Sequence, residues 1–341
     1  MTRAFRVAMV GASGVVGETL IRVLEERSFP VAELFALASE RSIGKKVRFG
    51  GSDVAIDDLA GFDFRRAEIA FFSAGAAVSR EHVPRAVAAG CIVIDNTSQF
   101  RLEEDVPLVV PEVNAEAIGD FAARGIIANP NCSPIQLVLV LKPLHDLAGI
   151  ERVNVATYQA VSGAGRRAVE ELAVQSAALL AGQGPVVPEV IAKQIAFNCV
   201  PQIDDFQENG YTREEMKMLW ETRKILADPA IRVNATAVRV PVFFGHSQAV
   251  HLETRARVTA EQARGLLAKA PGVEVMDERR PGGYPTAATE AANRDTVYVG
   301  RIREDISTDR GLNLWLVADN VRKGAATNSI QIAEILVREH I

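Results

Sequence analysis

The sequence predicts an α/β chain. A doubly wound parallel sheet comes first, and an α+β unit with a mostly antiparallel sheet follows. Three observations predict it. Short apolar runs alternate with amphipathic stretches through the first third. Glycines cluster between the first apolar run and the first amphipathic one. After Asn129, strand-like runs follow one another with few helices between them.

In order, "FRVAMV" (Phe5–Val10) reads as a buried strand and "GETLIRVLEER" (Gly17–Arg27) as a helix. "VAELFALA" and "EIAFFSAG" read as strands, "SREHVPRAVAAG" as a helix and "CIVIDNTS" as a strand. "PLVVPEVN" and "GIIANPN" close the region. In the second part, the strand "RVNVATYQAVSG" leads into a helix at "AGRRAVEELAVQSAALL". "GQGPVVPE" is a loop and "REEMKMLWETRKIL" a helix. Strands follow at "IRVNATAVRVPVFFG", "QAVHLETRARV", "TVYVGRIRED" and "GLNLWLVAD", with "DERRPGGYPTAATEAANRD" as a loop. The tail "RKGAATNSIQIAEILVREH" is an amphipathic helix returning to the first domain. The expected domains are residues 1–129 together with 321–341, and residues 130–320.

Composition narrows the function classes. At 341 residues the chain suits two domains. Its net charge, 38 − 43 = −5, is too mild and mixed for general nucleic-acid binding. No apolar run approaches a membrane span, and the start "MTRAFRVAMVGASG" does not read as a signal peptide. Cys91, Cys132 and Cys199 are odd in number and widely spaced. That suggests neither a disulfide framework nor a metal site, and a cytoplasmic setting is the simplest expectation.

"MVGASGVVGETL" sets Gly11, Gly14 and Gly17 between a strand and a helix. Such glycines let backbone approach a pyrophosphate, and the helix N-terminus offers free N–H groups and a positive dipole end. This is the Rossmann-like nucleotide signature, here spaced G-x-x-G-x-x-G; the bland alternative is a plain tight turn. The second strand ends in "LASERSIGKK". Ser39, Arg41 and Ser42 suit the 2′-phosphate of NADP, whereas Glu40 would suit an NAD ribose.

"NPNCSPIQ" puts Cys132 just before an apolar run. Ser133 can cap a helix beginning at Pro134, since proline is favoured in the first turn. Cys132 then lies at the positive end of a helix, which favours the nucleophilic thiolate. A packed thiol is the alternative. Cys91 and Cys199 read as buried small hydrophobes. A nucleophilic thiol with a nicotinamide cofactor suggests aldehyde chemistry through a thioester. His246, after a strand and a glycine, is a candidate base, or else a structural histidine. His82, His145, His251 and His340 read as surface residues.

Across nearly its whole length the chain resembles the aspartate-semialdehyde dehydrogenase family. The resemblance rests on "GASGVVG", "DNTSQFR", "VPLVVPEVN", "NPNCSPIQ", "TYQAVSGAG", "REEMKMLWETRKI", "VRVPVFFGHS" and "DNVRKGAATNSIQIAE", in that order. It implies Cys132 as the acyl-thioester nucleophile, His246 as the acid/base, and Gln159 as orienting substrate and nucleophile. Arg239 would clamp the substrate α-carboxylate with its planar fork, and Glu214 would meet the substrate amino group. Lys217, Arg101, Ser98 and Asn131 would hold phosphate or the acyl phosphate. Gly11, Ser13, Gly14, Val15, Val16, Arg41, Ser42, Ser162, Gly163 and Asn320 would line the NADP site.

The resemblance implies an NADP-dependent reduction of L-aspartyl 4-phosphate to the semialdehyde, with release of phosphate, feeding lysine, threonine and methionine synthesis. It also implies a homodimer joined through the second domain's sheet. Two rivals stand beside this reading: a related reductase of N-acetyl-glutamyl phosphate, and a non-catalytic NADP-binding protein on the same fold. An acetylated amine needs no carboxylate partner, so Glu214 with Arg239 argues against the first. Intact Cys132, Gln159 and His246 argue against the second.

Overall fold

The computed structural model describes residues 3–341. The chain forms two compact units: residues up to Asn131 together with Ala325–Ile341, and Cys132–Gly324. The expected boundaries were 129 and 320.

The first unit is built on β1 (Phe5–Val10), α1 (Val15–Glu26), β2 (Val31–Ala38), β3 (Lys46–Phe49), β4 (Ser52–Asp58), β5 (Ile69–Phe72), α2 (Ala76–Ala88), β6 (Ile92–Asp95), a short α3 (Pro111–Asn114) and β7 (Ile126–Ala128). The sheet order is β3-β4-β2-β1-β5-β6-β7. All neighbours are parallel except the β3–β4 pair. Parallel strands covered on both faces must be apolar throughout, and Val7–Val10 and Ile69–Phe72 are wholly buried. The C-terminal helix (Thr327–Glu339) contributes Ile330, Ile332, Ala333 and Leu336 to the same core. Arg27, the residue that follows α1, donates twice to Glu334, at 2.8 and 2.7 Å.

The sequence reading assigns no strand to residues 46–58. There the chain makes a hairpin whose two loop residues, Gly50 and Gly51, have φ of 59° and 74°. Such turns need positive φ at both central residues, so paired glycines suit them.

The second unit contains α4 (Cys132–Ala148), β8 (Ile150–Gln159), α5 (Arg166–Leu180), α6 (Arg213–Ile225), β9 (Arg232–Arg239), β10 (His246–Thr254), α7 (Ala260–Leu267), β11 (Val273–Val275), β12 (Val297–Glu304) and β13 (Gly311–Ala318). Its sheet order is β11-β12-β13-β10-β8-β9. The three central pairs are antiparallel and the two edge pairs, β11–β12 and β8–β9, are parallel. α4 packs across β8, β10, β12 and β13, and α6 against β9.

The helix α7 lies where the sequence reading placed none. Its start carries a capping box in which Thr259 and Gln262 each satisfy the other's backbone N–H. A second capping box, Thr212 with Glu215, opens α6.

Candidate active site

Strand register gathers the second unit's candidate residues at one end of its sheet. β8 and β9 run parallel with Gln159 opposite Arg239, so both strands finish together. β10 runs antiparallel to β8 with Ser247 opposite Tyr158, so His246 enters where Gln159 leaves. β13 pairs Ala318 with His246, which brings Asp319 and Asn320 to the same end.

Cys132 is itself the first residue of α4, so the expectation of a helix beginning at Pro134 is corrected by two residues. Pro134 sits in the first turn, where its missing N–H has no intrahelical partner to lose. Ser133 is fully buried, and its hydroxyl accepts a hydrogen bond from Gln159 Nε2 at 2.9 Å. Gln248 Nε2 donates to the Ser133 carbonyl at 2.8 Å, and Gln136 Nε2 to that of Cys132 at 3.3 Å. Gly324 allows this packing: a Cβ there would lie 2.9 Å from Cys132 Cβ.

Gln159 is buried and also reaches Glu214 Oε1 at 3.3 Å. Glu214 is 5% exposed, and Lys217 Nζ donates to its Oε2 at 3.0 Å. Burial works to raise the Glu214 carboxyl, but Lys217, Arg239 and Gln159 hold it below its ordinary value. Burial likewise opposes the Lys217 charge, yet Glu214 and Asp204 lift it above the lysine range. Asp204 accepts from Lys217 at 2.7 Å and has a left-handed backbone, φ 70°. The neighbouring Glu215 is spent on structure: one oxygen accepts from the Thr212 N–H at 2.7 Å, the other from the Ala237 N–H at 2.9 Å. The latter bond fastens the start of α6 to β9.

Arg239 is 6% exposed, and its Nη1 donates to the Ala160 carbonyl at 2.7 Å. Burial pulls its guanidinium below the ordinary value, opposed by Glu214 and by Cys132. His246 is fully buried, and its Nδ1 accepts from the Ala160 N–H at 3.0 Å. Burial, and then the charge of Arg239, push its ring well below the ordinary histidine value. Both residues border Gly163. A Cβ there would come 2.9 Å from Arg239 Nη1 and 3.4 Å from His246 Nε2. Ser162 hydrogen-bonds Asn320, which also accepts from the Gly245 N–H at 2.9 Å.

The remaining candidates belong to the first unit. Arg101 is buried, whereas "FRLEED" alone reads as surface. It is 7% exposed and donates to the carbonyls of Asn129 at 2.9 Å and Asn96 at 2.7 Å. Ser98 lies half-buried in the same loop, and Asn131 half-buried just before α4. Two glycines of the loop are required by close packing of backbone on backbone. Gly11 has φ +90°, and a Cβ on it would lie 2.7 Å from the Ser73 carbonyl oxygen; one on Gly17 would lie 2.1 Å from that of Gly11.

A cavity of about 740 Å³ opens beside this loop, lined in part by Gly11, Ser13, Gly14, Ser39, Glu40 and His82. A cavity of that size accommodates a large small-molecule ligand. Ser13 and Ser42 share a hydroxyl hydrogen bond at 3.0 Å. Val15 and Val16 form the first turn of α1, and Arg41 is exposed on the turn Glu40–Ser42. His82 is buried and lines the cavity, contrary to its expected surface position. Cys91 is buried, with its thiol pushed up to about 11 by burial, but Cys199 is exposed rather than packed.

Among the described residues no His, Cys, Asp and Glu side chains cluster as a metal site, and no helix is long and apolar enough to cross a membrane. Sequence reasoning missed Asp204, Gln248 and Gly324. Only Gly324, inside "RKGAA", carried a visible signal: a glycine within a helical pattern.

Residues 6–121 match the family described as semialdehyde dehydrogenase, NAD binding domain, and residues 141–323 its dimerisation domain. The aspartate-semialdehyde dehydrogenase of Legionella pneumophila is 59% identical over 341 residues, covering 100% of this chain and 98% of its own. A crystal structure of aspartate semialdehyde dehydrogenase II from Vibrio cholerae, described as complexed with ASA, superposes with TM-score 0.97 at 56% identity, covering both chains fully. The Candida albicans enzyme, described as solved with NADP, gives TM-score 0.74 at 27% identity over 98% of each chain. The chain belongs to the aspartate-semialdehyde dehydrogenase family.

Proposed function

We propose that this chain reduces L-aspartyl 4-phosphate to L-aspartate 4-semialdehyde with NADPH, through an acyl thioester on Cys132. The observation that carries the reading is the buried set Gln159, Glu214, Arg239 and His246, assembled in one unit around the start of the helix that bears Cys132. A nucleophile at a helix N-terminus is favoured as thiolate. Its attack on the acyl carbon expels phosphate and leaves a thioester. Arg239 presents a fork suited to the α-carboxylate, and Glu214 an anion for the ammonium group. Gln159 holds the start of α4 through Ser133 and so orients the thiolate. His246 acts at the carbonyl oxygen. Lys217, Arg101, Ser98 and Asn131 are the proposed phosphate ligands.

The cavity beside Gly11, Ser13 and Gly14, at the N-terminus of α1, fits a dinucleotide. Ser13, Val15 and Val16 would lie along its pyrophosphate, and Arg41 with Ser42 would read a 2′-phosphate. We extend the cofactor roles to Ser162, Gly163 and Asn320 on the second unit. When bound, the cofactor supplies the hydride that reduces the thioester. Glu40 lines the same cavity, so NADP over NAD rests on Arg41 and Ser42.

We also propose that the chain forms a homodimer through the sheet face opposite α4. That face exposes Tyr158 and Tyr284 and carries a groove lined by Asn154, Asn234, His251 and Arg303. The setting proposed is the cytoplasm, in lysine, threonine and methionine synthesis. The test is phosphate-dependent reduction of NADP⁺ by aspartate semialdehyde, beside the N-acetylglutamate analogue and beside NAD⁺. Turnover confined to the aspartate compound supports the reading; preference for the acetylated compound overturns it.

A further inference from the structure

Lys217 is held by two carboxylates, and the roles proposed above use only one of them. Glu214 lies three residues before it on α6 and accepts from its Nζ at 3.0 Å. The other, Asp204, comes from the segment between α5 and α6 and accepts at 2.7 Å, the shorter bond.

Asp204 is itself fixed on both sides. Its second oxygen accepts the Asp205 N–H at 3.0 Å. Upstream, the backbones of Val200 and Arg239 exchange hydrogen bonds at 2.9 and 2.8 Å, which ties the segment to the end of β9. Downstream, the Asp205 carbonyl accepts the Arg213 N–H at 2.8 Å and Phe206 pairs with Thr212, which ties it to the start of α6. Between these ties the Asp204 backbone takes φ 70°, a conformation that aspartate and asparagine adopt more readily than most side chains. The segment thus runs from Arg239 to the helix that bears Glu214 and Lys217.

We propose that Asp204 is a positioning residue of the substrate site: it holds the Lys217 ammonium and balances its charge, so that Lys217 keeps an N–H for phosphate and Glu214 keeps its negative charge for the substrate ammonium. The inference rests on the roles proposed above for Lys217 and Glu214. An ammonium group has three N–H donors. Two are spent on Asp204 and Glu214, and the third is left for an anion. The charges lead the same way. Glu214, Asp204 and Lys217 together carry one net negative charge, which suits an ammonium ligand. Glu214 and Lys217 alone carry none. The Lys217 side chain is only 14% exposed, and burial opposes its charge, so the second carboxylate also offsets the cost of keeping a cation there.

The test compares full-length wild type with Asp204→Asn, which keeps the shape and suits the left-handed backbone but loses the charge. In phosphate-dependent oxidation, KM for aspartate semialdehyde should rise by about tenfold while KM for phosphate falls by about threefold, because the site becomes more positive by one charge. A rise in both, as a merely structural defect would give, overturns the proposal, and so does no change in either. Asp204→Gly keeps the backbone conformation and removes the arm. It should shift both constants in the same senses and also lower kcat, and it decides the matter if the asparagine variant fails to fold. The second arm needs no substrate. Acetic anhydride acylates the neutral amine, so peptide mass spectrometry at about pH 8 should find Lys217 modified several-fold faster in Asp204→Asn than in wild type. The exposed Lys193 should react alike in both. Equal rates at Lys217 overturn the hold of Asp204 on it. If the wild type turns over no aspartate semialdehyde, the functional reading falls, and the acylation still decides whether Asp204 governs Lys217.

Discussion

The two units build their sites from different materials. The first uses backbone: three glycines and a helix N-terminus beside a cavity. The second uses side chains, nearly all buried and each held in place: Gln159 by Ser133, Glu214 by Lys217, Lys217 by Asp204, and His246 by the backbone N–H of Ala160. A backbone site tolerates exchange of most side chains but not a Cβ in the wrong place. A side-chain site tolerates little, because removing one partner strands another in a dry setting.

Substitutions can break that contrast. The largest effect belongs to Cys132→Ser, which changes one atom at the α4 start. Phosphate-dependent turnover should fall by several orders of magnitude while NADPH binding and thermal unfolding stay as in wild type, because serine is a weak nucleophile at neutral pH.

Next comes Arg239→Lys. The charge stays but the fork and the bond to the Ala160 carbonyl are lost. Steady-state kinetics should show kcat/KM down by a factor on the order of 10²–10³, as for a buried charge contact worth about 2–5 kcal/mol, with NADPH affinity unchanged. Wild-type efficiency would remove Arg239 from substrate binding.

In the first unit, Gly17→Ala is expected to act through structure alone. Its Cβ would meet the Gly11 carbonyl oxygen at 2.1 Å. Overpacking of this kind costs about 1–3 kcal/mol. A lower unfolding temperature together with weaker NADPH binding should result. Loss of binding with unchanged stability would mean that the glycine serves the ligand directly.

Arg41→Ala should be milder. Arg41 is exposed, so only its contact to a 2′-phosphate is at stake. KM for NADPH should rise by the equivalent of about 1.5–3 kcal/mol, and KM for NADH should not. Equal rises would assign the 2′-phosphate elsewhere.

The smallest effect is a pH slope. Folded His246 titrates well below its ordinary value, so as pH falls below about 6.5 the unfolded chain binds a proton that the folded chain does not. Stability from this residue is complete above about pH 6.5 and declines as pH falls, by up to about 1.4 kcal/mol per pH unit. Chemical denaturation of wild type and His246→Gln at pH 7.5 and 5.5 should show a smaller loss on acidification in the variant. Identical losses would mean that the buried ring accepts a proton freely.

The same contrast explains what was legible in the sequence. Backbone sites need glycine at fixed spacing, and Gly11, Gly14 and Gly17 announce themselves between strand and helix. The sheet of the first unit is equally plain, because strands buried on both faces are apolar runs. The β3–β4 hairpin and α7 were harder. The strands of the hairpin are short and half polar, and α7 is eight residues long, although Gly50-Gly51 and the Thr259–Gln262 box marked both.

The side-chain site is a product of register, which pairs Gln159 with Arg239 across 80 positions of sequence and cannot be read from spacing. Cys132 was visible by its neighbours. Asp204 was not, because an acid in "QIDDF" looks like any loop acid until Lys217 is seen against it. Cys199 misled for a similar reason, since "AFNCV" reads as core while the chain there runs exposed.

The central claim is that the second unit's network exists to present Cys132 as an acyl acceptor. The most direct measurement is peptide mass spectrometry of the wild type and Cys132→Ser after quenched incubation with aspartyl phosphate and no cofactor. Cys199 is exposed and serves as the internal control. An aspartyl adduct on the wild-type Cys132 peptide, absent from Cys199 and from the variant, is the predicted result. An adduct on Cys199, or the same adduct persisting in the variant, would contradict it.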